Sequence, residues 1–320
     1  MNRRVPAKPR VVFFGTPEFS VPCLKFLSEI SHLILVISQP DRPSGRGLKL
    51  TPPAIKRTAE QLGIPVIQPV SVRTTEFVRT LREAKPDLGV VVAYGRILPL
   101  AVLEAPRLGC VNLHASLLPK YRGAAPIQWS IINGEAETGV SLMRMDEGMD
   151  SGPVLAAVKT PIDPDENAAE LSERLARMGG ELLRDRFLSL MQGELQSVEQ
   201  ARETVSYAPM LRKSDGKIVW DRSARATHDF VRGMNPWPGA FSWLGGKRIT
   251  LHRTSVTADE GNLREPGAIL HSDDRGIEVA CGSGAILIEE VQVEGKRRMS
   301  VEQFLTGNRI SMNARFSAAV

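Results

Sequence analysis

The sequence predicts an α/β domain on a mostly parallel sheet, followed by a smaller β-rich domain. Three observations predict it. Short apolar runs alternate with helix-like stretches through the first half. Short strand-like runs broken by Gly and Asp fill the last third, and a polar stretch at 193–203 separates the two. The length, 320 residues, is itself more than one ordinary domain.

Arg10–Phe14 (RVVFF) reads as a buried strand that breaks at Gly15-Thr16-Pro17. Thr16 is expected to cap the next helix, Pro17 to sit in its first turn, and the helix to run through Val21–Ser28. Leu33–Ser38 is the second strand. A loop rich in Pro, Gly and Arg leads to a helix at Ala54–Leu62 and a short strand at Pro65–Gln68. Thr74–Ala84 reads as a helix and Leu88–Ala93 as another apolar strand. Strands at Cys110–His114 and Gly139–Met145 bracket a helix near Pro126–Asn133, and Val154–Thr160 is a further strand. Ala168–Gln192 carries Leu171, Leu175, Met178, Leu182, Leu183, Phe187 and Leu190 at helical spacing, so one long amphipathic helix closes the first domain. Beyond the connector, strands are expected at Lys217–Trp220, Phe241–Trp243, Ile249–His252, Ala268–His271, Ile277–Ala280 and Ala285–Gln292. Their spacing favours a small barrel or sandwich, with Trp237 and Trp243 in its core.

Composition excludes several classes. An apolar share of 42% and a charged share of 24% exclude a disordered chain. No run of eighteen apolar residues is present, so no membrane span is expected. The basic start, Met1 to Arg10, leads directly into a run too short for a signal-peptide core, and reads as a frayed arm. Cys23, Cys110 and Cys281 lie far apart with no CxxC and no His cluster near them. They read as buried thiols in a reducing, cytoplasmic setting, with no metal site. The net charge is +5, with a mild basic excess at both ends. That suits an anionic partner such as nucleic acid, and equally an ordinary solvated surface.

Three stretches carry chemistry. In Gly109-Cys-Val-Asn112-Leu-His114-Ala-Ser116-Leu-Leu-Pro119-Lys-Tyr-Arg122-Gly123, Asn112 and His114 are two apart on a strand and leave on one face. They sit at the carboxyl end of that strand, where open α/β sheets bind ligands. A lone strand histidine is often a satisfied core residue, but an amide beside it means that both need partners. The second stretch, Met145 to Pro153, packs Asp146 and Asp150 among glycines at the end of a strand. It reads as a shaped loop or as a solvated acidic turn. The third, Gln39-Pro-Asp41-Arg42-Pro-Ser-Gly45-Arg46-Gly47-Leu-Lys49, reads as a flexible surface loop or as a basic arm that grips phosphate.

Asn112-x-His114, Ser116-Leu-Leu-Pro119-x-x-Arg122-Gly123 and Asp150 in a Gly-Met-Asp-x-Gly loop resemble the signature of the folate-dependent formyltransferase superfamily. The opening Phe14-Gly15-Thr16-Pro17-Glu18-Phe19, the Ala93-Tyr94-Gly95-x-Ile97-Leu98-Pro99 stretch and the Asp41-Arg42-Pro-x-Gly45-Arg46-Gly47 loop narrow the resemblance to its methionyl-tRNA formyltransferase family. So do Asn235-Pro-Trp-Pro-Gly-Ala240 and Gly295-x-x-x-Met299-x-x-x-x-Phe304-Leu305-x-Gly307. The match runs from about Arg10 to Gly307.

The resemblance implies a Rossmann-like formyltransferase domain at 10–192, a linker at 193–207 and a small β-barrel with OB-like topology at 208–320 that helps hold tRNA. It implies formyl transfer from 10-formyltetrahydrofolate, a co-substrate, to the methionine amino group on initiator Met-tRNA, without a metal. Asn112, His114 and Asp150 would be the catalytic residues. The chemistry fits these types: an amine attacks a formamide carbonyl, an oxyanion develops, and a proton must leave nitrogen, which calls for placed donors and a proton carrier. Ser116, Leu117, Leu118 and Pro119 resemble the segment that contacts folate, helped by the Leu88–Tyr94 and Met143–Asp146 edges. Arg42, Arg46 and Lys49 correspond to the loop that enters the acceptor stem, where guanidinium groups bind phosphate and stack on bases. In the last third, Arg212, Lys213, Lys217, Lys247, Arg248, Arg253 and Lys296-Arg297-Arg298 would supply phosphate contacts. Nothing in the sequence demands more than a monomer.

Three other readings compete. The same Asn, His and Asp would serve formyl transfer to a small amine, such as an amino-sugar nucleotide or purine precursor; the Arg46 loop and the β domain argue against this. An RNA-binding module with a decayed catalytic domain has to explain an intact triad. A nicotinamide dehydrogenase lacks its phosphate-cradling glycines, because Gly15-Thr-Pro stands where GxGxxG belongs.

Overall fold

A computed structural model describes residues 8–44, 49–261, 264–311 and 314–317. The chain forms two compact units. One comprises the described residues up to Pro126 with Thr138–Thr160 and Ser172–Ala208; the other comprises Ile127–Glu137, Pro161–Leu171 and the described residues from Pro209 onward.

In chain order the first unit carries β1 (Arg10–Gly15), α1 (Val21–Ile30), β2 (His32–Ile37), β3 (Arg42–Ser44), β4 (Lys49–Thr51), α2 (Ala54–Gln61), β5 (Val66–Ile67), α3 (Thr75–Glu83), β6 (Leu88–Val92), α4 (Leu100–Leu103), β7 (Cys110–His114) and β8 (Arg122–Gly123). Helix α5 (Pro126–Ile132), which from Ile127 belongs to the second unit, follows in the chain, then β9 (Glu137–Arg144), β10 (Val154–Pro161), α6 (Ala168–Gln192), in the first unit from Ser172, and β11 (Tyr207–Ala208). The main sheet has the order β10-β9-β7-β6-β1-β2-β5. β1 pairs in parallel with β2 and β6, β2 with β5, and β6 with β7. β9 runs antiparallel to β7, with Met143 opposite Asn112 and Ser141 opposite His114.

Periodicity explains the layers. Successive strand side chains face opposite sides, and both sides of this sheet are covered, so β6 and β7 are buried at every position. Val12 and Phe14 enter a cluster with Leu35, Ile37, Val91 and, from α3, Phe77 and Leu81. Each such side chain contributes roughly 1.5–3 kcal/mol by leaving water. Thr74 caps α3 by accepting from Phe77 N at 3.3 Å. The cap expected of Thr16 is absent: its hydroxyl donates instead to Tyr94 O at 3.0 Å, tying the end of β1 to the segment after β6. α6 packs against α1 and β9 through glycines: a Cβ on Gly180 would strike Phe26, and one on Gly179 would touch Val140.

The second unit holds α7 (Ala224–Met234), β12 (Ala240–Leu244), β13 (Lys247–Ala258), β14 (Ile269–Asp273), β15 (Gly276–Ala280), β16 (Ala285–Val293), β17 (Met299–Ser300), α8 (Val301–Gly307) and β18 (Phe316–Ser317). Its antiparallel sheet has the order β14-β15-β16-β13-β12-β18, with β17 against β16. Three register shifts between β13 and β16 bend and twist the sheet where the pairing is longest. Lys217–Trp220 is not a strand but a single bridge to Phe241. Trp237 is 50% exposed rather than core, whereas the core tryptophan is Trp220, whose indole N–H donates to Ser242 Oγ at 3.0 Å.

The helix α7 was not expected from sequence. From Thr227 to Met234 every residue is buried, including four polar ones, Thr227, His228, Asp229 and Arg232, each with a hydrogen-bond partner. Arg232 pairs with Asp229 at 2.7 Å and donates to the carbonyls of Asp163 and Glu166. The ring nitrogens of His228 lie 3.0 Å from Thr254 Oγ1 and from Pro164 O.

Candidate active site

The site begins with β7, whose last residue is His114. Val111 and Leu113 face one side and are buried apolar residues, so Asn112 and His114 share the other, 8% and 5% exposed. The chain then turns through Ser116–Lys120, whose shape is held by polar side chains. Ser116 Oγ donates to Lys120 O at 2.6 Å, and Ser141 Oγ, itself fully buried, donates to Ser116 O and accepts from Leu118 N.

That turn returns Tyr121 to the histidine. His114 Nε2 lies 2.8 Å from Tyr121 O. A carbonyl only accepts, so the bond requires the proton on Nε2, which fixes ring orientation and tautomer by partner chemistry. The other ring nitrogen, Nδ1, faces Asp150 Oδ2 at 3.6 Å. The same carboxylate oxygen accepts from Gly123 N at 2.8 Å, and Oδ1 receives a long bond, 3.5 Å, from Asn112 Nδ2. Amide and imidazole from β7 and a carboxylate from the loop between β9 and β10 therefore meet at the carboxyl end of β7, where parallel sheets bind ligands.

Asp150 reaches this point in an unusual conformation. Its φ is +50°, a left-handed region that an L side chain enters only when its surroundings hold it there. The neighbouring glycines make the loop possible: a Cβ on Gly152 would run into Arg144 O, and one on Gly148 into Ser151 Oγ. Asp146 stays within the loop, accepting from Gly148 N and Ser151 Oγ.

Of the other residues implied by resemblance, Leu118 and Pro119 line an apolar groove with Val154, Leu155, Ala157 and Val198. Ser116 is fully buried and its hydroxyl hydrogen is given to its own loop. Arg42 and Lys49 sit exposed in the paired strands β3 and β4, away from the Asp150 corner in sequence and in hydrogen bonding. Arg46 lies outside the described residues, as do Gly45 and Gly47. The base of β3 is anchored: Lys56 Nζ pairs with Asp41 at 2.9 Å and donates to Gln68, whose amide donates to Asp41 and to Gln39 O. Those hydrogen bonds from Gln68 and Lys56 hold the Asp41 carboxyl below its ordinary value. In the second unit Arg253 pairs with Glu289 and Arg298 with Glu290, while Lys247 donates to Asn308. Arg248 lies over the Phe241 ring, 3.7 Å from its centre.

Sequence reasoning overlooked Gln200, Ser206 and Ser141. Ser206 Oγ accepts from Tyr121 N at 2.9 Å, and Ser206 O accepts from Arg122 N. Ala208 O accepts from the amides of Ala124 and Ala125. Polarity in 193–203 resembled that of a solvated spacer; the pairing of β11 with β8 was the missing signal. The three cysteines are buried, and burial pushes the thiols of Cys23 and Cys110 up to about 12, so neither is a nucleophile. Among the described residues no cluster of three His, Cys, Asp or Glu is placed to hold a metal, and no helix is long and apolar enough to cross a membrane.

Comparison with known proteins agrees with this geometry. Residues 9–187 match the formyl transferase family, and residues 210–309 match the formyl transferase C-terminal domain. A methionyl-tRNA formyltransferase of Geotalea uraniireducens is 49% identical over 303 residues, covering 94% of this chain and 96% of the relative. One from Geobacter sulfurreducens is 47% identical over 311 residues, covering 97% of each. Among solved structures, the N-formyltransferase of Helicobacter canadensis, in complex with folinic acid and dTDP-3-aminofucose, aligns with TM-score 0.66 at 18% identity. The alignment covers 88% of this chain and 98% of that one. HypX of Aquifex aeolicus, in complex with tetrahydrofolic acid, aligns with TM-score 0.62 at 17% identity over 93% of this chain and 47% of its own. At such identities the structures share the fold, whereas the sequence relatives carry the assignment: this chain belongs to the methionyl-tRNA formyltransferase family of formyl transferases.

Proposed function

We propose that this chain, acting as a cytoplasmic monomer, moves a formyl group from 10-formyltetrahydrofolate to the amino group of methionine on initiator tRNA. The observation that carries the proposal is the convergence of Asn112, His114 and Asp150 at the end of β7 in a chain of this family. The formyl donor is a substrate and supplies an activated formamide carbonyl.

The residues divide the work as follows. Asn112 Nδ2 has a second hydrogen beyond its long bond to Asp150, and directs it at the oxyanion as the amine adds to the carbonyl. His114 Nε2 is already engaged by Tyr121 O, so Nδ1 is the position that takes up the proton leaving the amine, directly or through one water. Asp150 faces that position and stabilises the imidazolium as it forms. Collapse of the tetrahedral species breaks its bond to folate nitrogen, and the proton held at Nδ1 passes to that leaving nitrogen.

Leu117, Leu118 and Pro119 form the wall against which the folate lies, a mostly apolar surface with few polar groups, and the buried Ser116 braces that turn from behind through its bond to Lys120 O. Arg42, Lys49 and Arg46 contact the acceptor stem, and residues 208–320 add phosphate contacts. The division of labour we assign is chemistry to 10–192 and further tRNA holding to 208–320, joined by 193–207.

The test is incubation of purified protein with 10-formyltetrahydrofolate and either charged initiator tRNA or a dTDP-amino sugar. Formyl-methionine on tRNA and no formylated sugar is expected. The reverse would move the chain to small-amine transfer, and no turnover of either would end the proposal.

A further inference from the structure

The connector between the two family-matched regions reads as a spacer, yet it is bonded to both walls that hold the Asp150 carboxylate. Val198 pairs antiparallel with Val154, with bonds of 2.8 and 2.9 Å, which pins the connector to the edge strand β10. Two residues on, the Gln200 amide makes four hydrogen bonds. Nε2 donates to Asp150 O at 2.9 Å and to Gly152 O at 2.7 Å; Oε1 accepts from Arg122 Nε at 3.0 Å and Nη2 at 2.8 Å. Its orientation is fixed by its partners, since a flipped amide would turn N–H groups onto a guanidinium and an oxygen onto two carbonyls.

These partners are not incidental. Asp150 stands at φ +50°, and Gln200 holds the main chain on the carbonyl side of that residue. Arg122 precedes Gly123, whose N–H grips the Asp150 carboxylate at 2.8 Å. One side chain thus fixes the backbone that carries the carboxylate and the strand that binds it.

We propose that Gln200 is a positioning residue for formyl transfer, setting the direction of the Asp150 carboxylate toward His114 Nδ1. The proposal rests on the role given above to Asp150. Gln200 touches no reacting atom; its loss lets Asp150 leave the left-handed conformation and the carboxylate withdraw from the imidazole. Such misplacement by about 1 Å typically costs up to a hundredfold in rate.

The experiment measures kcat and both KM values for formylation of Met-tRNA in the full-length protein. The variants are Gln200→Leu, Gln200→Glu, Asp150→Ala and the double variant Gln200→Leu/Asp150→Ala, each checked by thermal melting. Gln200→Glu is nearly isosteric and keeps the acceptor for Arg122, but offers no donor to the two carbonyls. Both Gln200 variants should lower kcat by roughly ten- to a hundredfold with KM values within about twofold of the parent. The double variant should be no slower than Asp150→Ala alone, because a residue that acts through Asp150 has nothing left to position. Full activity in Gln200→Glu, a change confined to KM, or losses that multiply in the double variant would each overturn the proposal while leaving the role of Asp150 intact. Full activity in Asp150→Ala would instead remove that role, and the proposal with it.

Discussion

The corner around Asp150 and the paired strands β3 and β4 both carry charged or polar groups at the carboxyl side of one sheet, but they are built in opposite ways. At the corner, every group is held by at least one partner from another segment, and Asn112 and His114 are nearly excluded from water. At the strands, Arg42 and Lys49 are exposed, and the firm contacts lie at the base, in Asp41, Lys56 and Gln68. Chemistry at one carbon needs donors fixed in advance, since alignment cannot be bought at the moment of reaction. Gripping a long polyanion needs only charge that can reach it. On the roles proposed above, burial is what separates catalysis from capture, and substitution on either side can break that comparison.

The largest effect is expected at His114. His114→Ala removes the proton carrier and should lower kcat by on the order of a thousandfold, with KM for tRNA little changed. A rate within a few-fold of the parent at saturating substrates would place the proton transfer elsewhere. Asn112→Ala comes next, with a loss on the order of a hundredfold in kcat, because one oxyanion donor is gone. Its readout is the same formylation assay, and a pure KM effect would move Asn112 from chemistry to binding.

At β3 and β4 the direction reverses. Lys56→Met should raise KM for charged tRNA several-fold while kcat and the KM for folate stay near the parent values, since it frees the base of the arm and leaves the corner intact. Equal effects on both substrates would show that the arm and the corner are not separate devices. Arg46→Ala should likewise raise KM for tRNA far more than KM for folate. Arg42→Ala should weaken tRNA binding modestly and reduce its log–log salt slope by about one. An unchanged slope would mean that Arg42 makes no phosphate contact.

The smallest effect concerns pH. Hydrogen bonds from Gln68 and Lys56 hold the Asp41 carboxyl below its ordinary 3.8. A lowered folded value means that the anchor contributes in full above 3.8 and is lost as pH falls through the lower value. Gln68→Leu should therefore shift the acid loss of tRNA binding, followed by filter retention, to higher pH; an unshifted curve would remove Gln68 from the anchor.

How much of this was legible in the sequence follows from the same contrast. Cys110–His114 could be read because an apolar run with two polar residues on one face is a pattern of the chain itself, and the strand runs between those bounds. Helix α7 could not, because Asp229, Arg232 and His228 look like a solvated face and become core only by pairing with each other and with Asp163–Glu166. Trp237 looked like core for its size alone, yet it stands half exposed in a turn between prolines. Gln200 was hidden for a related reason: its partners are main-chain carbonyls and an arginine far away in sequence, and carbonyls leave no trace in residue type.

The most direct measurement is the single-turnover rate of formyl transfer, by rapid quench with both substrates bound, in Asp150→Asn beside the parent. The amide keeps the size of the carboxylate and can still accept from Gly123 N, but carries no charge for the imidazolium. A rate at least about a hundredfold lower, with folate and tRNA bound as tightly as before, is the predicted result. A rate matching the parent would contradict the account.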